Sequence, residues 1–155
     1  MAISLNVSDG KQEFYVQGDP NRAIWINTND TGISTRAHRA QKQIQQMSDR
    51  LEEAAKQYEG KEPDDAYFEL LEEADKQAKD ALNYAFASDI ADTVFGLISP
   101  YAIVREDGTI FFNDFLNSIL PYIEKGQEDM KGKVLASRQR TGKYTNKYAR
   151  NSDAQ

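Results

Sequence analysis

The chain of 155 residues contains no cysteine and a single histidine, His38. Without cysteine there can be no disulfide, no thiolate metal site and no cysteine nucleophile. A zinc site or a histidine-based catalytic set would lack its second member. His38 follows Arg36 and precedes Arg39 and Lys42 on a polar stretch, so we expect it at the surface. These absences favour a protein that is not an enzyme and that binds no metal and no cofactor.

Long apolar runs and phosphate-binding loops are also missing. No stretch approaches the ~18 apolar residues of a membrane helix, and no basic-then-apolar leader begins the chain. We therefore expect a cytosolic protein without a membrane partner. Arg140-Thr141-Gly142-Lys143 has neither the spacing of a phosphate-binding loop nor a strand before it. Carboxylate pairs such as Glu52-Glu53 fall on polar helix faces, where solvated acids are the ordinary interpretation.

The charges are strongly segregated, although the net charge is only −6. Residues 49–92 carry 14 acidic and five basic side chains, whereas residues 131–150 carry seven basic and no acidic ones. The basic end could dock on an acidic partner or on nucleic acid, or it could simply be solvated. Because the acidic body would repel phosphates, we do not expect nucleic acid as a partner.

Short strands are predicted at the start of the chain. Ile3, Leu5 and Val7 alternate with polar residues, and residues 8–11 form a turn before the extended stretch 13–16. Residues 23–26 predict a third strand, followed by a turn rich in Asn and Asp. The sequence therefore predicts an antiparallel β-hairpin that grows into a three-stranded sheet.

Helices are predicted for most of the remainder. Apolar residues recur every three or four positions from Ile33 to Tyr58, and again from Asp64, a predicted cap, to about Phe86. The narrow, Ala-rich stripe of the first helix fits either an intramolecular helical hairpin or a two-stranded coiled coil. Ser88 is predicted to cap a short third helix, and Asn113 or Asp114 a C-terminal one. The predicted fold is mainly helical α+β, with one domain over residues 1–136 and a flexible basic tail over residues 137–155.

The segment REDGTIFFNDFL, residues 105–116, resembles the second half of a calcium loop. With Gly108 as its sixth residue, the first and third ligands would be Ile103 and Arg105. Ile103 has no side-chain oxygen, and Arg105 would bring a cation to the calcium position. Asp114, at the twelfth position, is not the usual bidentate Glu. The segment is therefore interpreted as a turn followed by a helix cap, with no calcium bound.

Four short motifs carry a family resemblance: Asp92-Thr93-Val94-Phe95-Gly96, Asp107-Gly108, the run FLNSILPYI at 115–123 and the run KYTNKY at 143–148. Together with the order of predicted elements, they resemble the tail assembly chaperones of siphophages and prophages of Gram-positive bacteria. The resemblance implies a non-enzymatic protein of the host cytoplasm that shields the helices of the tape-measure protein and often contacts the tail-tube protein. It also implies that no cofactor is needed.

Two apolar groups are the predicted contact surface. One is the side of the first helix that carries Ile44, Met47 and Leu51, and the other is the cluster Phe111, Phe112 and Phe115. A long apolar seam can add a partner helix to a bundle, or a second copy of the chain to form an oligomer. The alternative for each group is a place in the core. The competing function is a structural virion component or a coiled-coil scaffold that stays in the assembled particle.

Overall fold

The computed structural model describes the backbone of residues 1–153 and the side chains of residues 1–133, 135 and 136. Within this range the strands and α-helices are β1 (Gln12–Tyr15), β2 (Ala23–Ile26), α1 (Gly32–Gln57), α2 (Asp65–Phe86), α3 (Ala91–Phe95) and α4 (Phe111–Asp153), and a 3₁₀ helix (Val16–Gly18) follows β1. The mainly helical α+β fold with an N-terminal antiparallel hairpin is thus confirmed. The backbone of α4 continues into the predicted tail, whose side chains lie outside the described residues, and its flexibility stays a prediction.

Among the described residues the sheet has two strands and not the predicted three: the strands predicted at residues 13–16 and 23–26 form, and the one predicted from Ile3 to Val7 does not. β1 pairs with β2, with Gln12 opposite Ile26 and Tyr15 opposite Ala23. The segment around Ile3, which the sequence predicted as the first strand of the hairpin, forms no strand and is exposed. The side-chain amide of Asn27 donates to the Asp9 carbonyl at 2.7 Å and holds the chain past the end of β2. The alternation of apolar and polar side chains at residues 3–7 is therefore typical of a strand, but no strand of this chain pairs with the segment.

The long helices α1 and α2 pack against each other as the hairpin that the sequence allowed. Asp64 caps α2 as predicted, because its carboxylate accepts from the Tyr67 N–H at 3.1 Å. At the other end, Arg36 donates from α1 to the Ala85 carbonyl, one of the last carbonyls of α2. Asp64 thus caps α2 next to the turn between the two helices, and the Arg36 guanidinium links the helices at the end opposite that turn.

The short helix α3 is held by residues from two other parts of the chain. The predicted cap, Ser88, is wrong: the side-chain oxygen of Asn83 accepts from the N–H groups of Ile90 and Ala91 at 2.8 and 2.9 Å. At the carboxyl end, the guanidinium of Arg22 donates to the carbonyls of Thr93 and Val94. A helix of five residues has no stable ladder of its own, and these outside donors and acceptors replace it.

Helix α4 begins at Phe111, so the prediction that Asn113 or Asp114 caps it is also wrong. The Phe111 and Phe112 N–H groups donate to the Ala102 and Pro100 carbonyls, which lets the loop before α4 stand in for a side-chain cap. Farther along, the helix crosses the turn between β2 and α1.

One core joins the sheet and all four described α-helices. Its buried members come from β2, from one face each of α1 and α2, from α3 and from the first turns of α4: Ile24, Ile26, Ile33, Ala40, Ile44, Ala78, Ala81, Leu82, Ala85, Phe86, Ile90, Ala91, Val94, Phe95, Phe112, Phe115, Leu116, Ile119 and Ile123.

Candidate partner-binding surfaces

The structure places the first predicted contact group between the two long helices. Ile44 and Met47 are buried and Leu51 is half-buried. The side of α1 that could have accepted a foreign helix faces α2 instead. A partner that bound this group would have to open the helical hairpin, and its role as a contact surface stays a prediction.

The second predicted group lies in an aromatic cluster. Phe112 and Phe115 are buried, whereas Phe111 is half-buried. The Phe111 ring meets Phe95 edge-on with centroids 5.0 Å apart, and the Phe115 ring meets Phe86 edge-on at 5.7 Å. Such edge-to-face pairs add about 0.5–1.5 kcal/mol each beyond the burial of their surface. These rings fix α4 to α2 and α3, and Phe112, Phe115 and Ile44 share one buried core.

Large apolar side chains are exposed elsewhere, on a segment that sequence reasoning did not single out. Between α3 and α4, residues 97–104 form the apolar loop, whose exposed members are Leu97, Ile98, Ile103 and Val104. Leu97 is fully exposed at 106% of its reference area. The signal was present in the sequence as an apolar stretch bounded by Gly96 and interrupted by Pro100.

The apolar loop has a defined conformation although its side chains are exposed. The Ser99 hydroxyl donates to the Asp75 carboxylate of α2 at 2.6 Å and accepts from the Tyr101 N–H at 3.1 Å. An antiparallel bridge joins Ile103 to Ile110. Loops that hold several exposed apolar residues in a fixed conformation are typical of interaction sites, since leaving such residues in water is otherwise unfavourable.

One acidic side chain, Asp75, contacts the base of this loop. Asp75 lies on α2, and Phe68, half exposed, precedes it by two helical turns on the same face. Burial, and then the charge of Asp75, raise the pKa of the Tyr101 hydroxyl to about 12. This hydroxyl is buried and has no hydrogen-bond partner among the described residues. It therefore stays protonated at all physiological pH values.

The calcium-like segment folds as a turn and a helix start. The Asp107 carboxylate accepts from the N–H and the hydroxyl of Thr109, and these hydrogen bonds lower the pKa of Asp107. The Asp114 carboxylate is paired with the guanidinium of Arg105. Both carboxylates that a calcium ion would need are thus engaged by groups of this chain. Among the described residues, no three His, Asp or Glu side chains come close enough together to hold a metal ion.

His38 is exposed on α1, as the sequence predicted. In the part of the chain that the structure describes, no helix has the length and apolar character needed to cross a membrane. Comparison of the chain with protein-family models, with curated proteins and with solved structures gives no match.

Proposed function

We propose that this protein is a non-enzymatic assembly chaperone of a siphophage-type tail, which binds the tape-measure protein, the tail-tube protein or both in the cytoplasm of the bacterial host. The resemblance of the four sequence motifs motivates the family. The observation that carries a binding function is the apolar loop, whose large side chains are exposed on a segment fixed by Ser99 and Asp75.

A helix with an apolar stripe is a suitable partner for this loop. Fully burying one large aliphatic side chain contributes about 1.5–3 kcal/mol. The four side chains of the apolar loop together offer on the order of 6–12 kcal/mol, as an upper limit. Lost translational and rotational freedom opposes association by about 4–15 kcal/mol. The net is at most about 8 kcal/mol, which corresponds to roughly micromolar affinity. Such reversible binding suits a chaperone because its client must be released when the tube forms.

Charge gives the loop a second element of selectivity. Residues 64–92, which include α2 and the start of α3, carry nine acidic and two basic side chains. A client helix that has basic residues beside its apolar stripe would approach this surface faster than a neutral one. The attraction should weaken with added salt, since exposed charges are screened beyond about 10 Å at 0.1 M ionic strength.

The six residues that the sequence predicted as contact surface are assigned a different role in this proposal. Burial of Ile44, Met47, Phe112 and Phe115 makes them the frame that presents the apolar loop. Binding through them remains a separate hypothesis, which requires the hairpin to open.

The test is a binding measurement with the tape-measure protein encoded in the same genome region. A double substitution Leu97→Asp and Ile98→Asp should reduce binding at least tenfold, because two carboxylates would be carried into an apolar contact. Leu120→Asp, on an exposed position of α4, is the matched control and should bind normally. Circular dichroism should show both variants folded.

Two outcomes would contradict the proposal. If the loop variant and the control bind equally well, the apolar loop is not the contact. If mass spectrometry finds the protein in stoichiometric amounts in mature particles, it is a structural component and not a chaperone.

A further inference from the structure

We propose that the N-terminal arm, residues 1–8, of one copy of this chain adds as a strand to the open edge of β1 in a second copy, and that two copies exchange arms reciprocally. The proposal concerns the protein alone and does not depend on the tail-assembly function. It rests on three features: the composition of the arm, the edge of β1 and the groove beside that edge.

The arm has the composition of a strand with one apolar face. Ile3, Leu5 and Val7 share one face of an extended chain, and Ser4 and Asn6 lie on the other. All of residues 1–8 are exposed, and Ile3, Leu5 and Val7 retain 88%, 81% and 80% of their reference areas. The arm carries no charged side chain. A regular apolar face in water is unfavourable, so a surface that covers it would stabilise it.

The outer edge of β1 can accept such a strand. Val16 donates to the Arg22 carbonyl at 2.9 Å, which makes this a hydrogen-bonded pair in the antiparallel ladder. Because hydrogen-bonded and non-hydrogen-bonded pairs alternate, the N–H and C=O groups of Glu13 and Tyr15 point away from β2. The sheet ends at β1, since β2 is its neighbour on one side alone. Four backbone groups are therefore free to pair with an added strand.

A groove of about 420 Å³ lies along this edge, between β1 and the start of α4. Phe14 of β1 and Ile24 of β2 are cross-strand partners on one face of the sheet, and both line the groove. Tyr15 lines it too, so the groove lies against that face and reaches the edge of β1. Its floor on the α4 side is aromatic: Phe111, Phe115 and Tyr122. Ile3, Leu5 and Val7 would point to this floor, and the polar face of the arm would point to solvent on the Tyr15 side.

The surface area that an arm can bury favours reciprocal exchange between two copies over the docking of a single arm. An unfolded chain exposes roughly 1.45 Å² per dalton, so the first seven residues expose on the order of 1,100 Å². If half of that is covered and the groove loses a similar area, one arm buries on the order of 1,000 Å² in total. That is below the roughly 1,200–2,000 Å² of stable interfaces, whereas two reciprocal arms reach it. A twofold exchange also uses the same edge and the same arm on both copies.

The first experiment measures mass in solution by size-exclusion chromatography with light scattering. The wild-type protein should have twice the 17.6 kDa of one chain. Leu5→Asp should reduce the mass to that of one chain, because its carboxylate would face the aromatic floor. Ser4→Asp, next to it on the opposite face, is the matched control and should remain dimeric. A monomeric wild type, or a Leu5→Asp variant that stays dimeric, would overturn the proposal.

The second experiment separates exchange from the arm folding back on its own β1. The chain has no cysteine, so every disulfide must form between introduced thiols. Ser4→Cys protein mixed with Tyr15→Cys protein should give a disulfide-linked heterodimer under mild oxidation. A double variant Ser4→Cys, Tyr15→Cys that cross-links within one chain, with no heterodimer from the mixture, would show fold-back and would overturn the exchange.

Discussion

Replacing a glycine of α4 by alanine should raise or lower the free energy of unfolding, depending on how closely the position is packed. Gly126 is buried where α4 crosses the turn before α1. A Cβ atom at this position would overlap the carbonyl oxygen, the carbonyl carbon and the Cβ of Thr28. Gly132 lies farther along the same helix, where a Cβ would meet nothing within 4 Å. The two positions share helical backbone and differ in their surroundings.

The magnitudes follow from two opposing effects. In a helix interior, alanine is more favourable than glycine by about 0.5–1 kcal/mol, because glycine loses more backbone freedom on folding. Gly132→Ala should therefore increase the free energy of unfolding by about 0.5–1 kcal/mol. At Gly126 the same gain is opposed by overpacking, which costs about 1–3 kcal/mol. Thr28 contributes backbone atoms to the clash, and backbone atoms move less readily than the end of a flexible side chain.

The measurement is urea denaturation followed by circular dichroism at 222 nm for the two variants and the wild type. Gly126→Ala should be less stable than Gly132→Ala by about 1–3 kcal/mol, at an unchanged slope of free energy against urea. Thermal midpoints should separate by about 2–4 °C per kcal/mol for a chain of this size. If Gly126→Ala were stabilised as much as Gly132→Ala, the close approach of α4 to the turn would be refuted.

Three further changes probe the remaining contacts by the same denaturation assay. Arg22→Met removes the donors to the Thr93 and Val94 carbonyls, so it should lower the free energy of unfolding by about 1.5–3 kcal/mol. An unchanged free energy of unfolding would show that α3 does not need this guanidinium. Ala87 follows α2 with a left-handed backbone, φ 50°, which is strained for alanine. Ala87→Gly should therefore increase the free energy of unfolding by up to about 1 kcal/mol, and a decrease would contradict this. Burial raises the pKa of Asp30, but hydrogen bonds from Arg36 and from the helix backbone outweigh it and the pKa is lowered. The contribution of ionised Asp30 to the free energy of unfolding should be complete above pH ~4 and lost as the pH falls through the lowered pKa. The difference in free energy of unfolding between wild type and Asp30→Asn should therefore shrink in acid. A difference that is constant with pH would refute the pairing.

The helical part of the fold could be predicted because its determinants are local. The spacing of apolar residues on α1 and α2 gives both helices and their apolar faces, and the Asp64 cap lies within four residues of the N–H that it accepts from. Asn83 caps α3 from seven and eight residues away, across the end of α2. Sequence spacing along α3 points to Ser88 instead, since a local rule considers only the residue next to the helix.

The predicted surfaces could not be assigned from periodicity for a related reason. An apolar stripe shows that a face will be covered, but it does not show by what. Ile44 is covered by the chain itself, whereas Ile3, with an equally regular pattern, is left uncovered. The difference depends on tertiary contacts such as that of Asn27 with Asp9, between residues 18 positions apart. Which apolar groups remain for a partner is therefore a property of the folded chain.

The two proposed surfaces meet at one residue, so coupling between them can be tested. Arg105 lines the groove beside β1, and it directly follows Val104 of the apolar loop. Its guanidinium is paired with Asp114, so an arm that fills the groove presses on a residue that also fixes the end of the loop. If an arm in the groove shifts the conformation of the apolar loop toward the one that binds a client, the dimer binds a helical client more tightly than a chain that cannot exchange. The client then strengthens the dimer by the same factor. Leu5→Asp leaves the apolar loop unchanged, so the ratio of client affinities of wild type and this variant measures the coupling; a ratio of one would mean that the two surfaces act independently.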